Sequence, residues 1–196
     1  MPKSARTITR DDLMDIDEYA PVRKARRLAL LPVKKLRRVA IGPDATAYFE
    51  NYDTMWLQVQ DMLYTEKGGE AQIADELAAY NPLIPKGHEL VATIMFEIAN
   101  EARRDRFLRS ITGIERHIFL QIGDHKVYAV PEGDVERTAP DGKTSSVHFV
   151  RFALGDDDIK AWNDASTPVM LCMDHPAYAH CAVLSDETRT ELARDF

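Results

Sequence analysis

Lys143-Thr-Ser-Ser-Val-His-Phe-Val-Arg-Phe-Ala-Leu154 reads as a strand apolar on both faces that nonetheless carries one imidazole, His148, and one guanidinium, Arg151. Buried without a partner, each group would lose several kcal/mol of hydration, so each needs a polar group opposite it. Strand alternation sets His148 with Val150 and Phe152 on one face, and Arg151 with Val147 and Phe149 on the other. They cannot share one site. Arg151 is expected to close a structural ion pair. Glu97 is its nominated partner, being likewise the lone charge of an apolar strand, beside Met95 and Thr93.

Working outward from that strand, the remaining runs alternate between the two periods. Upstream, Glu89 to Ile98 is a long strand, and a charged helix follows around Ala102 to Ile111. Arg116 to Ile122 and Lys126 to Val130 read as strands joined at Gly123-Asp124-His125. The polar stretch 131–146, with Pro131, Gly133, Pro140 and Gly142, is expected to be an exposed loop. Downstream come a short helix opened by Asp156 to Asp158, strands at Val169 to Asp174 and Tyr178 to Leu184, and a closing helix from Asp186 to Asp195.

In the first half, Arg37 to Gly42 and Ala45 to Asn51 form a hairpin. Helices at Asp53 to Lys67 and Glu70 to Tyr80 flank Gly68-Gly69. Thr9 and Asp12 open a short helix through Tyr19. Pro21 is expected to end it and to begin a second one closed by Pro32. Strands outnumber helices and hairpins are frequent. The predicted fold is α+β: a mostly antiparallel, strongly curled sheet, up to a half-barrel, with helices packed on one side. Residues 1–36 form a helical, basic N-terminal arm and 37–196 a single α+β domain.

The totals bound the function class. With 196 residues, 45% of them hydrophobic, the chain can bury a real core. No signal peptide or membrane span is visible, so a cytoplasmic location is expected and no membrane partner is foreseen. Two cysteines are too few for a secreted disulfide framework and fit a reducing compartment. The net charge of -7 hides an asymmetry. Arg23, Lys24, Arg26, Arg27, Lys34, Lys35, Arg37 and Arg38 form a basic patch without an acid, which leaves the remainder at -15. Such polarity steers an anionic partner or docks the arm on acidic surface of the same protein, and it leaves a homo-oligomer open. Nucleic acid is disfavoured, because the acidic remainder repels phosphate and no groove-reading motif accompanies the run.

Three groups of residues could carry chemistry. A symmetric hairpin loop centred on Pro176 and Ala177 sets Cys172 opposite Cys181. This thiol pair could be a redox couple or part of a metal site, but the plainer expectation is two small residues packed beside Met170 and Val183. Asp174 beside His175 suits a base held in one tautomer, or equally a type I turn. Gln58 and Glu66 lie a little over two turns apart on one helix, facing the sheet. Together with Glu97, His148, Asp174 and His175 they outline a candidate pocket for a transition metal such as iron or zinc, or for a compact ligand.

Several motifs also look familiar together. Thr54-Met55, Gln58, Met62-Leu63 and Glu66, then Tyr80-Asn-Pro-Leu-Ile-Pro85, the 143–152 run, and Asp174-His-Pro-Ala-Tyr178 resemble the bacterial family of domain of unknown function 3501, from Thr9 to Phe196. The resemblance carries no established activity or catalytic residue. It implies a context, since members are often encoded beside rubrerythrin-like proteins and cysteine-rich iron-sulfur proteins. The first expectation is therefore an accessory protein of a redox or oxidative-stress system with an iron-sulfur or rubrerythrin-like partner. Any cluster would belong to the partner, since two cysteines cannot hold one that needs four. The alternative is a small metal- or ligand-binding enzyme with a His and carboxylate pocket between helix and sheet.

Overall fold

Alternation along each strand decides the layering, and it holds throughout the computed structural model, which describes residues 6–132, 139 and 142–196. Nine strands and six α-helices are present among the described residues. Strands β1 (Arg38–Ile41), β2 (Ala45–Phe49), β3 (Glu89–Phe96), β7 (Val147–Ala153) and β6 (Val130–Pro131) form one antiparallel sheet in that order. Strands β5 (His125–Tyr128), β4 (Ile118–Ile122), β8 (Val169–His175) and β9 (Tyr178–Val183) form a second. The expected single curled sheet is thus replaced by two sheets, neither of them closed.

The cause lies at Ala129. Residues 125–131 run as one extended segment that pairs with β4 up to Tyr128 and with β7 from Val130, so the chain changes sheets. The inner faces share one core. Val39, Ile41, Ala47, Phe49, Leu90, Ile94, Val150 and Phe152 from the first sheet meet Ile118, Leu120, Leu171 and Met173 from the second.

The outer face of the five-stranded sheet is covered by helices. Helix α2 (Tyr52–Glu66) starts at Asn51, whose side chain accepts from the Thr54 amide at 3.0 Å while Thr54 Oγ1 accepts from the Asn51 amide. It lays Met55, Val59 and Leu63 on Val91 of β3. Helix α3 (Gly69–Tyr80) follows, and the 3-10 turn at Asn81–Leu83 returns the chain to β3. Helix α1 (Ile16–Leu36) packs on α2 through Tyr19, which is fully buried and stacks edge-on against Trp56 and Tyr64.

Here the prediction of two helices is corrected, because α1 runs unbroken through Pro21 and Pro32. Both prolines are exposed, so each costs one backbone hydrogen bond without driving its ring into neighbouring structure. Thr9 and Asp12 form their capping box around a single 3-10 turn, Arg10–Asp12, rather than a helix reaching Tyr19. Half of the loop expected at 131–146 lies outside the described residues.

Helix α4 (Glu101–Ser110) closes one end of the two-sheet core with Leu108, and α5 (Asp156–Asn163) adds Trp162 to the same core. Helix α6 (Asp186–Leu192) and a last 3-10 turn bring Glu191 and Asp195 to Arg37.

Candidate functional site

The six pocket candidates do not converge. His148 is wholly buried on the inner face of β7, with Nε2 2.8 Å from the Ser145 carbonyl and Nδ1 4.0 Å from Glu115. Its surroundings are Phe96 and the two-sheet core, with α2 on the other side of the sheet. Glu97 lies outside, beyond the end of β3, where it accepts from Tyr48 Oη at 3.0 Å and faces Arg38 at 3.4 Å. Hydrogen bonds from Thr46 and Tyr48 hold its carboxyl below the usual range. Gln58 and Glu66 are exposed on α2, and Glu66 takes the Gln72 amide at 2.9 Å. Among the described residues no three His, Cys, Asp or Glu side chains come together as a metal cage would need.

Arg151 is paired, but not with Glu97. Its guanidinium meets Glu89 at 2.5 Å and Glu132 at 2.5 Å and donates to the Pro82 carbonyl at 2.7 Å. The register explains the choice, since Arg151 sits opposite Val91 near the Glu89 end of β3, six residues from Glu97. This fork ties β7 to the start of β3 and to the turn after α3.

Between α2, the end of α1 and the outer sheet face lies a cleft of about 300 Å³, lined by Lys34, Tyr48, Glu50, Met55, Gln58 and Met95. Its carboxylate is one that the sequence did not single out. Glu50 accepts from Thr54 Oγ1 at 2.7 Å and Thr93 Oγ1 at 2.8 Å, and burial pushes its carboxyl up despite those donors and the nearby Lys34 and Arg37. Placing 46, 48 and 50 on one face of β2 was the signal that could have found it.

A raised carboxyl favours the folded state below the ordinary value of 4.5, and that contribution is lost as pH climbs through the folded-state value. Glu50→Gln is therefore expected to raise the melting temperature by a few degrees near pH 8 and to leave it unchanged near pH 4. Thermal melts at the two pH values check this. A destabilised variant at high pH would mean that the ionised carboxylate is needed.

The second place of chemical interest is the outer face of the four-stranded sheet. Cross-strand register aligns Tyr128, Phe119, Cys172 and Cys181 in one row. The Cα atoms of the two cysteines are 4.1 Å apart, the close spacing of a non-hydrogen-bonded antiparallel pair. Their sulfurs are bonded, in place of the free, packed thiols expected from the sequence. Cys172 is buried at 1% exposure whereas Cys181 is exposed, so the bond joins a buried residue to a surface one.

One row away stand His117 and Asp174. His117 Nδ1 lies 3.0 Å from Asp174 Oδ1, and Tyr128 Oη donates to the other carboxylate oxygen at 3.2 Å. Asp174 thus orients His117 and not its sequence neighbour His175. The ring of His175 braces the hairpin instead, with Nδ1 accepting from the Ala177 amide at 3.1 Å and Nε2 set 3.2 Å from the Thr112 carbonyl. His117, inside the strand expected at Arg116 to Ile122, lies just before β4 in the structure, and its partner is 57 residues away, which no local pattern states. The pairing of the Asp174 amide with the His117 carbonyl is what joins them. Lys126, Ala179 and Val183 are exposed on the same face as the disulfide.

The basic patch is divided by the fold. Arg37 is buried among Glu191, Asp195 and two carbonyls, Arg23 and Arg27 share Asp61, Arg38 takes Glu97, and Arg26 lies over the Trp56 ring. Lys24, Lys34 and Lys35 remain exposed on α1. Among the described residues, no helix is long and apolar enough to cross a membrane.

Comparison with known proteins agrees with the fold. A crystal structure at 1.90 Å resolution of a novel protein of unknown function from Burkholderia pseudomallei K96243 is similar, with 38% sequence identity and a TM-score of 0.88. The match covers 97% of this chain and 99% of that one. No curated protein matches the chain. The family model described as protein of unknown function (DUF3501) matches residues 7–196, nearly the whole length, and the chain belongs to that family.

Proposed function

We propose that the chain is a thiol–disulfide exchange module serving a redox partner protein, with Cys172–Cys181 as the reacting bond. The observation that carries this reading is the asymmetric exposure of the two cysteine residues on the outer sheet face, beside an oriented imidazole. A cysteine exposed on a sheet face is open to the thiol of another protein. An incoming thiolate attacks Cys181 Sγ and forms a mixed disulfide, while the Cys172 sulfur leaves as thiolate. A second thiol of the donor then attacks its own sulfur in that mixed disulfide and releases Cys181. Two electrons and two protons pass to the cysteine pair, and the donor leaves as a disulfide. His117, held by Asp174, is a proton donor and acceptor one row from Cys172. A redox partner, iron-sulfur or rubrerythrin-like, also fits the context implied by the family resemblance.

Dithiothreitol titration of the folded protein, read by maleimide mass-tagging, tests the proposal. Complete reduction without loss of the folded circular dichroism is expected, with Cys181 the sulfur carried in the mixed disulfide, Cys172 the first thiol freed for the tag, and His117→Ala slowing the step severalfold. The reduced protein should be less stable by roughly 2–3 kcal/mol, from a closed loop of nine residues. A bond that yields only when the chain unfolds would be a structural staple, and the exchange reading would fall.

A further inference from the structure

Helix α1 carries two apolar stripes where a surface helix needs one. Tyr19, Val22 and Leu30 form the inner stripe and pack on the α2 cluster. Leu28 and Leu31 point the other way and are 55% and 56% exposed, an unusual exposure for two leucines one turn apart. They border a groove of about 490 Å³ whose far wall is Tyr64 of α2 and whose edges are Arg23, Lys24 and Arg27. Arg23 and Arg27 share the one carboxylate of Asp61, and Lys24 has no ion pair among the described residues. The groove is therefore apolar along its floor and in excess of positive charge along its rim.

We infer that this groove docks an acidic amphipathic helix of a partner protein. The span from Ala20 to Leu31 is about 16 Å, or three turns, which matches the anchor spacing of a helix laid in a groove. Charge complementarity selects the occupant. A second copy offering its own α1 would set the same cations against each other, so a two-fold contact through this face is disfavoured. Nucleic acid gains nothing from leucines between the cations. A concave floor closed by Tyr64 also suits a rod better than a bilayer surface. The groove lies on the helical layer, away from the sheet face that carries the disulfide, and the inference does not depend on exchange chemistry.

The probe is a fluorescein-labelled peptide of about fourteen residues, leucine at i, i+4, i+7 and i+11 and glutamate elsewhere, added to the full chain at about 0.1 M salt. Fluorescence anisotropy should show saturable binding. Leu28→Ser with Leu31→Ser should weaken it about tenfold or more, and Lys24→Glu with Arg27→Glu should do the same. Lys126→Glu, on the other sheet, should leave it unchanged. All these positions are exposed, so the variants are expected to stay folded, which thermal melts check. Three results would each overturn the inference: no binding at millimolar peptide, binding indifferent to the leucine variants, or tighter binding to phosphatidylglycerol vesicles or single-stranded DNA than to the peptide.

Discussion

Arg37→Ala is expected to destabilise the folded chain by about 3–5 kcal/mol, the cost of stripping the cation from a buried ionic cluster. The guanidinium is 1% exposed, donates to the Phe49 and Glu50 carbonyls at 2.9 and 2.8 Å, and faces Glu191 at 3.4 Å with Asp195 beside it. Removing it leaves two carbonyls without donors and strips the nearest cation from two buried carboxylates, of which Glu191 keeps Arg194 at 2.9 Å. Asp195 is already pushed up by burial, with Arg37 the main influence in the other direction. Without that cation its proton affinity rises further.

A carboxyl whose folded-state value is raised favours folding below its ordinary 3.8 and loses that contribution as pH rises through the raised value. The deficit of the variant should therefore be full at neutral pH and shrink toward acid. Urea unfolding near pH 7 and near pH 5 checks both points. A loss below about 1 kcal/mol at neutral pH would mean that the cluster behaves as a solvated surface pair.

Tyr178→Phe is expected to cost roughly 2–4 kcal/mol, although it deletes one oxygen. That hydroxyl donates to the Ile41 carbonyl and accepts from the Asp44 and Ala45 amides at 3.0 and 3.1 Å, so it serves three backbone groups of the β1–β2 turn. The turn and the tyrosine belong to different sheets, so the contact also fixes how β9 sits against β1. Gly42 permits the approach. Its φ is +68°, and a Cβ there would meet the His180 ring at 2.6 Å. Denaturant unfolding and amide exchange at Asp44 and Ala45 provide the readout. Unchanged protection of those two amides would show that water replaces the hydroxyl at little cost.

The legible parts of the fold were those set by local alternation. Placing His148 and Arg151 on opposite faces followed from period two, and centring the last hairpin on Pro176-Ala177 put Cys172 across from Cys181, as the register has it. What escaped was set by distant contacts. Nothing in the Arg23 to Arg38 run marks Arg37 as the one that turns inward, because its partners lie 154 and 158 residues away. Proline reads as a stop signal, yet Pro21 and Pro32 stay inside a helix whose far side is held by α2. Glu97 was a reasonable partner for Arg151 on composition alone, and only the β3–β7 register excludes it. The division into two sheets depends on pairing partners for β5 and β6, which no local pattern states.

That shared strand has a mechanical consequence. Load placed on β7 reaches β4 through the backbone at Ala129, while the β6 ladder holds β7 by only two residue pairs. Under tension this short zipper should yield first, peeling β6 from the edge of the five-stranded sheet while the seven-pair β3–β7 ladder holds.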